Sequence, residues 1–402
     1  MKTRVLIAGA GPVGLFAGLR LAQAGVDVVV LEQRAALGLD SKASTFHAAT
    51  LELLNAAGVA DRFLPLGVAV DELQWRDLDG GIHARLPFSL LSAETRYPFR
   101  LHAEQTQLTP LLADRLTALQ PDALRFQARA GSIREDADGV RVTVHGPDGP
   151  TTVTADYVLA ADGAGSGIRE QLGVGFPGDA YASRALRVIT HGDLRDHLPG
   201  LAGMTYVRDD RGSCSLLRMR DHWRFIFRVV DDRPDEELLA PEAVRALVDR
   251  IAPGVQVEDA HLYSNRHHVA DTFRQGRVLF AGDAAHITTT AGGMNMNCGL
   301  HDAFDLASAL AAVVHGDAGP DALAQAADRR RRVVSEVVIP RTEQRAAGAD
   351  GQSGALASAV ADLRRIAGDE DAARRYLLEA SMFDTRPPME EPGAHTSAGA
   401  AR

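Results

Sequence analysis

Four short apolar runs along the chain, each closing on glycine or an acidic residue, predict buried strands: Arg4–Ala8 (RVLIA), Val26–Leu31 (VDVVVL), Tyr157–Ala161 (YVLAA) and the RVLFA within Gly276–Gly299. Continuous rather than alternating apolarity marks strands covered on both faces, the pattern of a parallel sheet. Between them the period changes. Pro12–Ala24 reads as a helix, and from near Asn295 the residues Leu300, Ala303, Phe304, Ala307, Leu310, Ala311 and Val314 recur at helical spacing, so one side of a second helix is buried. Asp71–Phe99 and Tyr181–His267 read mainly as strands, with GMTYV, SCSLLRM and WRFIFRVV as the clearest runs. Residues 321–380 are rich in Ala, Arg and Leu and helical, whereas Thr385–Arg402 has the Pro/Gly/Ala/Ser/Glu bias of a disordered tail. No internal repeat is evident.

Composition narrows the function. At 402 residues, 46% of them apolar and 24% charged, the chain can fill two or three packed units and is not a disordered polymer. Its formal charge of −10 disfavours nucleic acid and anionic membrane surfaces as partners and points to a small or neutral substrate. Cys214 and Cys298 offer neither a disulfide framework nor a C-x-x-C pair, which suits a reducing cytoplasm. The basic, apolar N-terminus has the look of a signal peptide, but spaced glycines and Pro12 interrupt it, and no other apolar run reaches the roughly 18 residues of a membrane span. A soluble cytoplasmic protein is the expectation.

The interruption is itself a motif. Gly9-Ala10-Gly11-Pro12-Val13-Gly14 sits between the first strand and the first helix. Gly9 permits the tight turn, Gly11 lets the backbone approach a pyrophosphate, and Gly14 lets the helix pack closely on the strand. Glu32 closes the next strand, where its carboxylate can accept hydrogen bonds from an adenosine ribose. This arrangement specifies a dinucleotide without deciding between NAD and FAD.

Two further motifs decide it. After Tyr157–Ala161 come Asp162-Gly163-Ala164-Gly165-Ser166-Gly167-Ile168-Arg169. Here the chain resembles the flavin-dependent aromatic hydroxylases of the p-hydroxybenzoate hydroxylase type, whose signature D-G-x-x-S-x-[VI]-R is matched by Asp162, Gly163, Ser166 and Arg169. The stretch GRVLFAGDAAHITTTAGGMNMNCG resembles the family's third signature, in which Gly282 and Asp283 would meet the ribitol chain of FAD. Departures occur in that stretch. Thr289 and Thr290 stand where the family usually has two prolines, which would loosen the loop and add hydroxyls near the ring. The usual G-x-G-M-N becomes Gly293-Met294-Asn295-Met296-Asn297. An arginine common before T-L-E is replaced by Ala49.

The resemblance spans roughly residues 1–380 and implies an α/β (α+β overall) architecture. A Rossmann-like FAD-binding domain with a parallel sheet would comprise 1–70, 100–180 and 268–320. A mainly antiparallel β-sheet substrate domain would be inserted as 71–99 and 181–267, followed by C-terminal helices. Arg34, Lys42 and Gln105 would add cofactor contacts, and the loop Thr289, Thr290, Gly292, Gly293 with Asn295, Met296 and Asn297 would face the flavin ring. On the substrate side the resemblance makes Arg218 a candidate for a substrate anion and Arg224 for a flavin contact. Tyr206 and Phe225, with Trp75, Phe99 and Met204, could line an apolar pocket. Ile226 lies near where the archetype has a substrate-binding tyrosine, so p-hydroxybenzoate itself is not implied.

Other features read as structural. His286 has no partnering acid at a recognisable spacing, Cys298 reads as a small packed residue, His267-His268 lacks metal-ligand spacing, and Arg329–Arg332 reads as a solvated helix face. With no G-x-S-x-G elbow, hydrolysis is unsupported.

The chemistry implied is that of a monomeric or homodimeric monooxygenase with FAD as cofactor and NAD(P)H as co-substrate. Reduced flavin would add O2 at C4a to give a hydroperoxide, and an electron-rich arene would take its terminal oxygen. No second G-x-G-x-x-G exists for the nicotinamide, and the family likewise uses none. Alternatives are epoxidation or Baeyer–Villiger oxidation on the same fold, a reductase or oxidase without oxygen insertion, and a binding protein that keeps the FAD fold without catalysis. The W-x-W-x-I-P signature of halogenases is missing.

Overall fold

The computed structural model describes residues 2–40, 43–79, 81–209, 212–230, 232–347 and 353–389. Lys42 and residues 390–402 of the expected tail lie outside the described residues.

The apolar runs stack as anticipated by their composition. Val278–Phe280, Gly149–Ala160, Lys2–Ala8, Val28–Leu31 and Leu124–Arg125 lie side by side in that order, every neighbouring pair parallel. Val5, Leu6 and Ile7 are fully buried, in one core with Leu15 and Leu112 of the covering helices and with Val140 and Val142 of the strand Gly139–Gly146. Gly149–Ala160 is longer than its apolar end suggests: its first half leaves the parallel core and pairs antiparallel with Gly139–Gly146, which pairs in turn with Arg129–Asp136. Helices Pro12–Gln23 and Gln105–Leu119 pack against the parallel strands, and Asn295–His315 packs on Pro12–Gln23.

A second eight-stranded sheet joins segments distant in sequence. Its order is His286–Ile287, Gln256–Val269, Gly178–His191, Trp223–Val229, Gly212–Arg218, Met204–Asp209, Glu72–Arg76 and Ile82–Pro87. All pairings are antiparallel except Met204–Asp209 on Glu72–Arg76. One face packs Leu186, Val188, Leu216 and Phe225 against helix Pro241–Asp249, whose apolar Val244 and Val248 are buried there. The other face looks toward the first sheet. A three-stranded ribbon of Thr45–Phe46, Arg100–His102 and Val68–Val70 connects the two.

Downstream, helix Asp321–Arg332 runs through a π-helical stretch, Val333–Val338, into helix Ile339–Ala347. Helices Ser353–Ala367 and Glu370–Ala380 then pack Leu363, Ala373, Leu377 and Ala380 onto Leu73, Trp75 and Met204 of the second sheet. Thr385, read from sequence as the start of a disordered tail, is instead buried, and its carbonyl accepts from Arg330 Nη1 at 2.8 Å. No helix among the described residues is long and apolar enough to cross a membrane.

Candidate functional site

Between the two sheets lies a cavity of about 750 Å³, running from Gly11, Glu32 and Arg34 at one end to Trp75, Tyr206 and Tyr376 at the other. Its first end is built by the glycine motif. Gly9 has φ +102, and a Cβ there would lie 2.3 Å from the carbonyl oxygen of Ala161. A Cβ on Gly14 would lie 2.0 Å from Gly9 O, so both glycines are imposed by backbone packing. Gly11 differs: nothing lies within 4 Å of its Cβ position, which is open space on the cavity wall. Helix Pro12–Gln23 has no side-chain cap, so its first-turn amides keep their hydrogen-bonding capacity for a ligand. The Glu32 carboxylate is pinned at the strand end by the amides of Ala10 and Arg34, both at 3.0 Å. Gln105 lines the same end and donates to Asp40 O at 3.1 Å.

The far side of the cofactor segment is the loop after Val278–Phe280. Gly282, at φ +58, and Asp283 line the cavity, and Asp283 Oδ1 accepts from Asn295 Nδ2 at 2.8 Å. Helix Asn295–His315 also begins without a side-chain cap, with Met294, Asn295 and Met296 on the wall. Two uncapped helix N-termini thus open onto one elongated cavity. Donors at two helix starts along one cavity can each receive negative charge from an elongated ligand such as a dinucleotide.

The two threonines that replace prolines line the cavity, and their hydroxyls donate to its surroundings. Thr289 Oγ1 donates to Thr342 O at 3.4 Å and Thr290 Oγ1 to Asn265 Oδ1 at 3.2 Å, anchoring the loop to the C-terminal helix and to the second sheet. Asn297 is off the cavity wall and buried. Its Nδ2 donates to Thr45 O and Gly293 O, each at 2.8 Å, and its Oδ1 accepts from the amide of His47 at 3.1 Å, so it staples the loop to the connecting ribbon.

Arg169 is likewise a brace. Its guanidinium donates to Ala284 O at 2.8 Å and Ala164 O at 2.9 Å and lies over the Phe176 ring, locking the second motif to the third. Gly163 lines the cavity at φ +89, while Asp162 accepts from the amide of Ile168 at 3.4 Å. Burial pushes the Asp162 carboxyl up from its usual range, against the pull of hydrogen bonds from Ser166 and Ile168.

On the second sheet, two-residue alternation sorts the substrate candidates. Arg224, Ile226 and Tyr206 line the cavity. Arg224 is buried and meets Glu104 Oε1 at 2.6 Å. Tyr206 stacks on Trp75 with ring centroids 5.3 Å apart. Phe225 points the other way into the packing under helix Pro241–Asp249, and Phe99 is also absent from the wall. Arg218 ends its strand exposed to solvent and off the cavity, meeting His102 Nδ1 only through its backbone carbonyl. The side chain expected to receive a substrate anion is therefore not at the site.

Beneath the loop two side chains sit otherwise than their sequence context suggests. His286 does have an acid partner: Nε2 lies 2.7 Å from Asp302 Oδ2, with both side chains fully buried. Arg330, taken for part of a solvated face, is buried too, its Nε 2.8 Å from Asp302 Oδ1 and its Nη2 3.5 Å from Cys298 Sγ. The signal in the sequence was Asp302 itself, a charge set among Leu300, Ala303 and Phe304 on an apolar helix. His286, Cys298 and Asp302 hold their ligand-type atoms within 4.8 Å of one another, but Arg330 already supplies the cation between them.

The chain matches the family model described as "FAD binding domain" over residues 2–340. It is 34% identical to a 12-dehydrotetracycline 5-monooxygenase/anhydrotetracycline 6-monooxygenase of Streptomyces rimosus over 86% of this chain and 70% of that one. It is 30% identical to a para-nitrophenol 4-monooxygenase of a Pseudomonas species, over 84% of each. Among solved structures, p-nitrophenol 4-monooxygenase of Pseudomonas putida superposes with a TM-score of 0.88 at 27% identity, covering 94% of this chain and 98% of the other.

Proposed function

We propose, from the premise that this chain belongs to the FAD binding domain family and is an FAD-dependent monooxygenase, that it inserts one oxygen atom of O2 into a phenol-like aromatic substrate at the expense of NAD(P)H. The observation that carries this reading is the continuity of the cavity, from the glycine corner at Gly11 to the aromatic walls at Trp75 and Tyr206.

FAD, when bound, supplies the transfer of electrons from the nicotinamide and the activation of O2. The chain's own residues bind, orient and exclude water. Gly11 and the first turn of helix Pro12–Gln23 would hold the pyrophosphate, Glu32 with Arg34 and Gln105 the adenosine end, and Asp283 the ribitol. Gly292, Gly293 and the start of helix Asn295–His315 would hold the ring, where a helix N-terminus stabilises negative charge developing on reduction. Trp75, Met204, Tyr206 and Ile226 form the apolar wall against which an arene would lie, and the C-terminal helices packed on Leu73 and Trp75 close the cavity on that side. Holding the arene next to the ring in a dry space favours oxygen transfer over release of hydrogen peroxide. The aromatic compounds named for the relatives support an aromatic substrate here.

The test is NAD(P)H consumption by the purified protein with a panel of phenols, with hydroxylated product and peroxide measured in parallel. Consumption matched by product is expected; stimulated consumption yielding peroxide alone would contradict oxygen insertion.

A further inference from the structure

The acidic chain carries a cationic pocket. Among the described residues, the carboxylates on the cavity wall are Glu32, Asp40 and Asp283, all on the cofactor side. The substrate side instead presents Arg100, Arg208 and Arg345 around Tyr206 and Tyr376. Net charge had pointed to a neutral substrate, yet the local field of a cavity is set by the groups that line it.

Two of these arginines have their charge to spare. Arg100 is 1% exposed; its Nη2 donates to Ala380 O at 3.3 Å and its Nη1 to Tyr206 Oη at 3.5 Å, a long contact, while its Nε has no partner. Arg345, on helix Ile339–Ala347, forms no ion pair among the described residues; it lies 5.8 Å from the Tyr376 ring centroid. A Cβ built on Gly292 would fall 2.5 Å from its Nη1, so the guanidinium rides over the loop assigned to the flavin ring. A buried cation without an acid is costly unless something anionic joins it. The electrostatics agree: burial alone would raise the Tyr206 hydroxyl, but Arg100 and Arg345 bring it below its usual range. Burial, with the same two arginines, holds His47 well below the usual imidazole range.

We infer that Arg345 and Arg100 form the seat for an anion borne by the aromatic substrate, a carboxylate or a phenolate, with Trp75, Tyr206 and Tyr376 framing its ring. This rests on the monooxygenase reading of the cavity and sharpens its substrate class. Arg345 and Tyr376 lie beyond residue 340, where the family match ends, so the C-terminal helices share in setting specificity with Trp75, Arg100 and Tyr206 from within the match.

The holoprotein is titrated with two matched pairs, 4-hydroxybenzoate against its methyl ester and 4-nitrophenolate against 4-nitroanisole, read by flavin absorbance and by tryptophan fluorescence, to which Trp75 contributes. Each anion is expected to bind roughly 10- to 100-fold more tightly than its neutral partner. Whichever pair shows the larger ratio identifies carboxylate or phenolate as the preferred anion. Arg345→Gln should abolish the preference without changing ester affinity or FAD content, and Arg345→Lys should restore part of it. Equal binding of anion and neutral partner, or loss of FAD from Arg345→Gln with the preference intact, overturns the proposal. Failure of the monooxygenase reading has a different signature: anion preference with no product from either acid.

Discussion

His286 and Asp302 meet beneath the loop Thr288–Gly293 with Nε2 2.7 Å from Oδ2, sealed from solvent, and from this contact a chain of hydrogen bonds reaches the cavity wall. His286 Nδ1 faces Asn295 Oδ1 at 3.3 Å, the amide of Thr288 donates to the same oxygen at 3.0 Å, and Asn295 Nδ2 is thereby turned to Asp283 Oδ1 at 2.8 Å. Asp302 also accepts from the amide of Gly282 at 3.2 Å and from Arg330. Asp302→Asn leaves the buried Arg330 without its acid and removes the charge that keeps His286 protonated. It should destabilise the protein by about 3–5 kcal/mol in urea unfolding and weaken FAD retention; unchanged stability would remove the pair from the framework.

The same pair fixes a pH signature. Burial opposes charge on both groups, but Asp302 draws the His286 imidazole well above its usual range, while His286 and Arg330 hold the Asp302 carboxyl at about 2. The raised histidine stabilises the fold fully below the ordinary imidazole pKa and loses that contribution as pH rises through its elevated value. The depressed aspartate stabilises above the ordinary carboxyl pKa and loses its contribution as pH falls toward 2. The stability difference between wild type and His286→Phe should therefore be widest between about pH 4 and 6.5 and narrow on either side. A difference independent of pH would contradict the charged pair.

Gly11 and Gly14 should separate binding from folding. A methyl at Gly14 collides with backbone, so Gly14→Ala should cost about 1–3 kcal/mol or more of stability. A methyl at Gly11 meets open space on the cavity wall, so Gly11→Ala should unfold at the wild-type denaturant concentration yet bind FAD more weakly. Equal FAD affinity in wild type and Gly11→Ala would move the pyrophosphate elsewhere.

Arg218 and Arg224, six residues apart in one hairpin, should behave as opposites. Arg218→Ala, exposed and off the wall, should leave substrate KM within about twofold of wild type, as surface changes do. Arg224→Met removes the buried partner of Glu104 and should lower both stability and FAD retention. Steady-state kinetics and flavin content of the two variants check this.

The half of the cavity proposed to hold the cofactor is legible in the sequence because it is written locally. Glycines imposed by close packing, an acid at a strand end and a helix start fall within single strand–turn–helix stretches of the chain, Gly9–Glu32 and Gly282–Asn295. The substrate half is written across the fold. Arg100 comes from the connecting ribbon, Tyr206 from the second sheet and Arg345 from a helix beyond the cofactor segments, and no spacing links them. Arg218 is named by the resemblance of its hairpin, which does not fix the register: it pairs with Trp223, whose side chain packs on the face away from the cavity. Asp302 and Arg330 hid because their charges cancel across 28 residues of sequence.

Isotopically labelled dioxygen follows the oxygen itself. With FAD-loaded protein, NAD(P)H and an accepted phenol, mass spectrometry should find one labelled oxygen atom in each molecule of product and none from labelled water. Product oxygen drawn from water, or labelled peroxide with unmodified phenol, would contradict a monooxygenase acting on an arene in this cavity.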